Sequence, residues 1–165
     1  MTQKSTPISI KKWEVKSANI SFKIKNAGLI VPGTFKDFEG NIQFDPDNLE
    51  ESSLEGSINT NTINTANSLR DFHLRMADYF RTGKYPSIHM KSIKLEKQAS
   101  DFLGTFEVTI KGKTKKIKIP FSFETQEEHS LLKAHFEINR LDFGVGSRSF
   151  VLNSVVRVRI EIEVF

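Results

Sequence analysis

Residues 156–164 have the sequence Val-Arg-Val-Arg-Ile-Glu-Ile-Glu-Val, in which apolar and charged side chains alternate without a break. Successive side chains of a β-strand point to opposite faces of its sheet, so this stretch predicts a long strand with one buried and one wet face. The same alternation recurs in residues 18–24, 117–123 and 132–138. Half-buried strands of this kind are typical of antiparallel sheets.

Shorter stretches of strand character lie between recognisable turns. We predict further strands at residues 34–38, 41–44, 54–60, 87–95 and 102–110. Pro, Gly, Asp and Asn predict turns at Val31-Pro32-Gly33, at residues 45–48 and at residues 111–113. We also expect a bend or bulge at Gly40, and a bulge near residues 91–92, where the apolar alternation changes phase.

One segment breaks the alternation. In residues 66–80, Leu69, Phe72, Met76 and Phe80 fall on one stripe at helical spacing. The stripe predicts a helix over 66–80 whose apolar side faces the sheet, while Asp71, Arg75 and Asp78 lie on the opposite side. Thr65 or Asn67 is a suitable N-cap, and Gly83 is a suitable end.

The order of elements therefore predicts the fold class. About four strands, one helix and four or five more strands do not alternate as β-α units, which argues against a parallel sheet. Eight or nine strands with one wet face must hide the other face in a sandwich or a closed barrel, and their length favours the barrel. We expect an all-β fold, an antiparallel β-barrel of about eight strands with one helix inserted mid-chain, in which residues 1–165 form a single domain.

The composition indicates an interior rich in phenylalanine. The chain has 14 Phe but only 1 Trp and 2 Tyr, and Phe suits a dry interior because it has no polar tip. These rings either fill a solid core or line a cavity, and the composition does not choose between the two. The absence of Cys excludes disulfides, thiol nucleophiles and thiolate metal sites.

The N-terminus and the net charge bear on location. The first ten residues lack the apolar core of a signal peptide, and no run of about 18 apolar residues occurs. We therefore expect a cytoplasmic protein, or a periplasmic or secreted one if a signal peptide has been removed. The net charge of +4 is ordinary for a soluble surface.

Arg70, Asp71 and His73 are the residues that most resemble an acid–base constellation. On a helix, however, Asp71 lies about 100° or more around the axis from both neighbours. This spacing favours a structural role that ties the helix to the barrel, with contact to a polar ligand head as an alternative, so no catalytic residue is predicted. The four His show no metal-ligand spacing, and no phosphate or dinucleotide motif occurs, so we expect neither a metal nor another cofactor.

A run of lysines surrounds one predicted hairpin, at Lys111, Lys113, Lys115, Lys116 and Lys118. It is typical of a solvated turn, and transient contact with an anionic membrane surface is the functional alternative. Nucleic-acid binding by a small barrel needs exposed aromatic rings among the basic residues. Here the Phe side chains alternate inward, so no nucleic acid is expected as a partner.

Several motifs together resemble the YceI-like family, which is described as polyisoprenoid-binding with a lipocalin-like barrel. The motifs are residues 22–28 followed by 32–35, residues 40–45, Asn64-Thr65 leading to 70–74, 78–80 and 85–88, residues 112–116 and residues 139–145. The resemblance extends from about Trp13 to Phe165. It departs from the family at Asn26, where the family often has His.

The resemblance implies a lipocalin-like barrel that holds a long isoprenoid lipid, such as a polyprenyl phosphate or a quinone tail, for carriage or storage. The inward sets provide the candidate lining residues Phe22, Ile24, Phe44, Phe106, Phe121, Phe123, Phe136 and Val158. Leu69, Phe72, Met76 and Phe80 are candidates for a lid or plug, and Arg70, His73 and Arg140 for contact with a polar head.

Two rival functions stay open from the sequence. One is a stress-related interaction protein whose barrel core is solid. The other is an enzyme that uses Arg70, Asp71 and His73. A homodimer formed through an exposed edge strand is compatible with all three hypotheses.

Overall fold

A computed structural model describes residues 10–165. Residues 1–9, on which most of the signal-peptide prediction rests, lie outside the described part, and that prediction stays untested. The elements are β1 Lys12–Trp13, β2 Val15–Asn26, β3 Leu29–Gln43, β4 Ser53–Asn64, α1 Ser68–Leu74, β5 Ser87–Gln98, β6 Asp101–Ile110, β7 Lys113–Gln126, β8 His129–Asn139 and β9 Val155–Val164. A single 3₁₀ turn, Arg140–Phe143, follows β8.

Eight of the strands close into a barrel. Each strand from β2 to β9 pairs antiparallel with the next one, and β9 pairs back with β2. The two-residue strand β1 adds to the end of β3, with Lys12 opposite Gln43. This architecture confirms the prediction of an all-β antiparallel barrel of about eight strands with one helix mid-chain. Each of the eight barrel strands pairs with two others, so within residues 10–165 none of them is a free edge strand, and only the two-residue β1 has a single neighbour. The homodimer itself stays a prediction.

Because the strands alternate in direction, the connections alternate between the two ends of the barrel. Segments 27–28, 65–86, 111–112 and 140–154 lie at one end, which we call the mouth. Segments 44–52, 99–100 and 127–128 lie at the other, which we call the closed end. The inserted helix α1 thus belongs to the mouth.

Aromatic side chains fill the closed end. The ring of Phe44 lies 4.6 Å from that of Phe123 and 5.1 Å from that of Phe102, and Trp13 packs edge-on against Phe123 at 5.4 Å. The Trp13 indole N–H donates to the Phe44 carbonyl at 2.9 Å, so its polar atom is satisfied. We call Trp13, Phe44, Phe102 and Phe123 the aromatic plug.

The turn predicted at Val31-Pro32-Gly33 is wrong. These residues lie inside β3, and the chain reverses at Ala27-Gly28, both with positive φ, 50° and 79°. Pro32 lies opposite Lys23, before the pairing of β3 with β4 begins at Thr34, so its missing N–H costs no bond between β3 and β4.

Several glycines within the strands lie where an aromatic ring comes close to the backbone, and they do not mark turns. A Cβ on Gly33 would lie 2.1 Å from the Cζ of Phe22, its cross-strand partner. Gly40 pairs regularly with Gly56, and the Phe38 ring lies within 2.6 Å of the Cβ positions of both. The bend expected at Gly40 is therefore wrong; the irregularity of β3 precedes it, between residues 36 and 39. The bulge of β5 is confirmed, one residue later than predicted, between Ser92 and Lys94.

The inserted helix is shorter than predicted. It spans Ser68–Leu74 rather than 66–80, and Asn67 caps it by accepting from the Arg70 N–H at 3.0 Å. Beyond Arg75 the chain folds back, since the Thr82 N–H donates to the Arg75 carbonyl at 3.0 Å. Gly83 therefore does not end the helix.

The helix also presents the face opposite to the predicted one. Leu69, Phe72 and Met76 are 69%, 51% and 44% exposed, whereas Asp71 is buried. The apolar periodicity was misleading because a buried hydrogen-bonded carboxylate, not the stripe, faces the barrel. Phe80, which follows the helix, is the one stripe residue that is not exposed, and it packs against Phe35 at 5.6 Å.

Gly33→Ala is expected to destabilise the fold by about 1–3 kcal/mol, because the new methyl group meets the Phe22 ring. The penalty should shrink in a Phe22→Ala background, which urea unfolding of the four chains of this cycle measures. Gly83→Ala is the control, since nothing lies within 4 Å of its Cβ position. An equal penalty in both backgrounds would show that the ring is not the cause.

Candidate functional site

The barrel encloses a cavity of about 540 Å³. This volume lies within the range of ~300–1,000 Å³ that ligand pockets commonly have. All eight barrel strands contribute lining side chains, most of them aliphatic or aromatic. Phe106 and Phe121, both buried, border it deep in the barrel, and no member of the aromatic plug lines it.

The cavity opens at the mouth. Asn67, Leu69 and His73, all exposed residues of the mouth, belong to its lining together with Leu152 of the segment before β9. At the opposite end Phe44 and Val164 are 1% and 0% exposed, which closes the barrel to solvent there. Within residues 10–165 the cavity is therefore an apolar pocket that is blind at the closed end and opens at the mouth, where polar residues border it.

Two of the strand glycines let an aromatic ring lie against the wall of this lumen. The Phe22 ring lies over Gly33, and the Phe106 ring lies over Gly104, whose Cβ would be 2.3 Å from a ring carbon. With no side chain beneath them, these rings rest against the wall. We call Gly33 and Gly104 the wall glycines. An eight-stranded barrel is only just wide enough for its side chains, so rings that lie against the wall leave more free volume in the lumen.

Sequence reasoning missed the wall glycines, although one signal was present. In residues 102–110 the inward set is Phe102, Gly104, Phe106, Val108 and Ile110, and Gly104 is the one member without a side chain. A glycine at an inward position of an alternating strand marks either a bulge or a close approach. At Gly104 the reason is the close approach of the Phe106 ring.

Most of the predicted binding residues reach the cavity. The lining includes Phe22, Ile24, Leu69, Arg70, His73, Phe80, Phe106, Phe121, Phe136, Arg140 and Val158. That these side chains contact a ligand stays a prediction.

Four predicted residues do not line the cavity. Phe44 and Phe123 point inward as expected, but they lie below the floor in the aromatic plug. Phe72 and Met76 are 51% and 44% exposed, and neither belongs to the cavity lining. The predicted lid is therefore wrong for these two residues, because the short helix turns its apolar stripe to solvent.

Arg70 and Asp71 both bind Thr65, at the end of β4. The Asp71 carboxylate accepts from the Thr65 backbone N–H at 3.0 Å and from its hydroxyl, while Arg70 donates to the Thr65 hydroxyl at 2.8 Å and to its carbonyl at 2.7 Å. His73 is exposed and takes no part in these bonds. The geometry supports the structural role, since the carboxylate is used to fasten α1 to the barrel.

Arg140 organises the other long segment of the mouth. It is buried, and its guanidinium donates to the carbonyls of Val145, Ser147, Leu152 and Asn153 at 2.9–3.0 Å. All four acceptors are neutral, so a positive charge is held beside the entrance without a carboxylate among its hydrogen-bond partners.

Lys111 joins the two long mouth segments. Its ammonium donates to the Ala77 carbonyl at 2.8 Å and to the Gly144 carbonyl at 2.9 Å, and burial lowers the pKa of Lys111. The Gly146 N–H donates to the Asp78 carbonyl at 2.8 Å beside it. Lys111 is thus a structural bridge rather than a solvated lysine, whereas Lys113, Lys115, Lys116 and Lys118 are exposed.

Residues 10–165 contain neither a metal-site cluster nor a membrane-spanning helix. In this range no three His, Asp or Glu side chains come together as a metal site. No helix of the range is long and apolar enough to span a bilayer.

Comparison with known sequences gives consistent relatives. The family model described as YceI-like domain matches residues 12–164. Protein YceI of Escherichia coli O17:K52:H18 is 36% identical over 107 residues, which are 64% of this chain and 56% of that protein. The chain thus matches little more than half the length of this curated relative.

Solved structures share the fold over nearly the whole chain. BcnA of Burkholderia cenocepacia superposes with a TM-score of 0.86 at 19% identity, covering 91% of this chain and 99% of that one. The YceI protein of Campylobacter jejuni gives 0.73 at 25% identity, over 98% and 92%. A polyisoprenoid-binding domain from Saccharophagus degradans, implicated in plant cell wall breakdown, gives 0.68 at 13% identity, over 93% and 96%.

Asp71→Ala is expected to lower the free energy of unfolding by about 1–3 kcal/mol, because the Thr65 N–H and hydroxyl lose their buried acceptor. Amide hydrogen exchange at Thr65 should accelerate at the same time. Asp142→Ala is the matched control, since the Asp142 side chain is also a mouth carboxylate but is exposed. Equal effects of the two substitutions on stability and exchange would contradict the fastening role.

Proposed function

Since this chain belongs to the YceI-like family, we propose that its barrel binds one long apolar chain of the isoprenoid type and serves to carry or store that lipid. The observation that carries the proposal is the blind cavity, in which the rings of Phe22 and Phe106 lie against the wall glycines. A barrel evolved only for stability gains nothing from such a void, because unfilled space costs packing energy. The solid-core hypothesis does not account for it.

The energetics favour a long ligand over a short one. Burial stabilises an apolar chain by roughly 0.8 kcal/mol per CH₂, so a dozen buried carbons contribute ~10 kcal/mol before costs. Association and ordering cost about 4–15 kcal/mol. A short chain therefore stays unbound, and an isoprenoid tail of polyprenyl phosphate or quinone type meets the requirement. The polyisoprenoid-binding domain with the same fold supports this ligand class.

The shape of the cavity sets the orientation of the ligand. Its floor borders the closed aromatic end, so the tail enters first and the polar head stays at the mouth. Arg70 and Arg140 are cationic residues of the lining there, with His73 exposed beside them. A negatively charged or carbonyl-bearing head is the kind these side chains attract.

Lipid binding accounts for the site better than catalysis does. Asp71 is turned to Thr65, and His73 has no hydrogen-bonded carboxylate, so the pair needed for acid–base work is not assembled among the described residues. Carriage or storage requires only capture, and an apolar lumen provides it. We therefore propose that the bound lipid leaves the protein unchanged.

Val158→Trp tests the proposal directly. Val158 lies on β9 between Phe22 and Phe136 and lines the cavity, so an indole there takes up ligand space. We expect at least a tenfold weaker uptake of farnesyl or longer polyprenyl phosphate, measured by displacement of a fluorescent apolar probe.

Arg157→Trp is the matched control, because it is the preceding residue of the same strand and its side chain is 74% exposed. It should bind as the unaltered chain does. Both variants must keep the β-rich circular dichroism spectrum of the parent. Equal uptake of the polyprenyl phosphate by the two folded variants would place the ligand outside the barrel and contradict the proposal.

A further inference from the structure

Exposed apolar side chains are concentrated at the mouth. Of the ten large apolar residues that are exposed in residues 10–165, eight lie on mouth segments or on strand ends beside them: Leu29, Ile30, Leu69, Phe72, Met76, Phe150, Val151 and Val155. Phe150 is fully exposed and Leu29 is 72% exposed. Such a cluster around one opening marks an interaction surface rather than scattered surface residues.

The cluster is held together by backbone bonds. The Ala27 N–H donates to the Val151 carbonyl at 2.8 Å, and the Asn153 N–H donates to the Lys25 carbonyl at 2.9 Å. The hairpin tip that carries Leu29 and the loop that carries Phe150 are therefore neighbours. We call Leu29, Ile30, Phe150 and Val151 the apolar rim.

Charge distinguishes the two ends of the barrel. The mouth segments 27–28, 65–86, 111–112 and 140–154 contain seven Arg or Lys and three Asp, a net charge of +4. The closed-end segments 44–52, 99–100 and 127–128 contain six Asp or Glu and no Arg or Lys, a net charge of −6. Arg81, Lys84 and Arg148 are exposed members of the mouth set. Residues 10–14 also lie at the closed end, beside the end of β3, and add Lys11, Lys12 and Glu14. The two ends therefore carry net charges of opposite sign, and the positive end carries the apolar rim.

We propose that the mouth docks on the surface of an anionic lipid bilayer, with the apolar rim inserted among the lipids and the closed end pointing away. Positive charge with adjacent exposed Phe, Leu and Ile is the combination that binds such surfaces. This inference rests on the proposed function for its purpose, since docking places the entrance of the cavity against the bilayer. An isoprenoid tail then passes between bilayer and barrel without crossing water.

Vesicle co-sedimentation of the full chain tests the docking. The chain should bind vesicles of phosphatidylcholine and phosphatidylglycerol in equal parts, and bind pure phosphatidylcholine vesicles at least about tenfold more weakly. Raising the salt to 1 M, where charges are screened within about 3 Å, should release most of the protein. Absence of binding, or equal binding to both vesicle types, would overturn the proposal.

Substitutions locate the contact. Leu29→Ser with Phe150→Ser should weaken binding to the anionic vesicles at least about tenfold, while Ile93→Ser, an exposed apolar residue outside the mouth, should not. In a second measurement, Phe150→Trp should shift its fluorescence to the blue on those vesicles, and Ile93→Trp should not. If the rim variants bind the anionic vesicles as the parent does, the apolar rim is not the membrane-contact surface.

Two further measurements distinguish membrane docking from dimer formation and from the proposed lipid binding. Size-exclusion chromatography with light scattering reports the oligomeric state. If the parent chain is a dimer, does not bind vesicles and becomes a monomer on substitution of the rim, the rim is a dimer interface and the docking proposal is overturned. Native mass spectrometry of the same variants reports bound lipid. Lipid bound without vesicle binding refutes the docking alone, and vesicle binding without any lipid uptake refutes the proposed function alone.

Discussion

Closure of the sheet through the pairing of β3 with β4 is the constraint on which the rest of the structure depends. It gives every strand from β2 to β9 two neighbours, so the backbone groups of a sheet edge need no other cover. It also gives the chain an inside, because alternating side chains must then point either into one lumen or to solvent. The proposed function depends on what that lumen holds.

The lumen is divided by the depth at which its aromatic rings lie. Near the closed end β1 and the end of β3 bring Trp13 and Phe44 across the barrel, and the rings there pack against each other. Nearer the mouth the rings of Phe22 and Phe106 are laid on the wall glycines Gly33 and Gly104. The same residue type therefore seals one half of the barrel and lines the other. This division accounts for a blind apolar pocket in a chain with 14 Phe.

The sequence allowed the barrel to be predicted, because a period of two in residues 18–24 and 156–164 determines which side chains face inward. It did not allow the cavity to be predicted, because alternation specifies a direction and not a depth: Phe44 and Phe121 both face inward, and only Phe121 reaches the cavity. The error at Pro32 and Gly33 arose because turn-forming residues also suit an unpaired strand margin and a close ring contact. The helix face was wrong because Asp71 gains two Thr65 donors when buried, an interaction between segments that periodicity does not report.

The central claim is that the barrel holds an apolar chain, and native mass spectrometry of the freshly purified full chain tests it most directly. We expect one bound lipid per barrel. Organic extraction should remove its mass from the spectrum, and offered polyprenyl phosphate should restore a bound mass. A spectrum that shows only the bare chain, with no uptake of offered polyprenyl ligands, would contradict it.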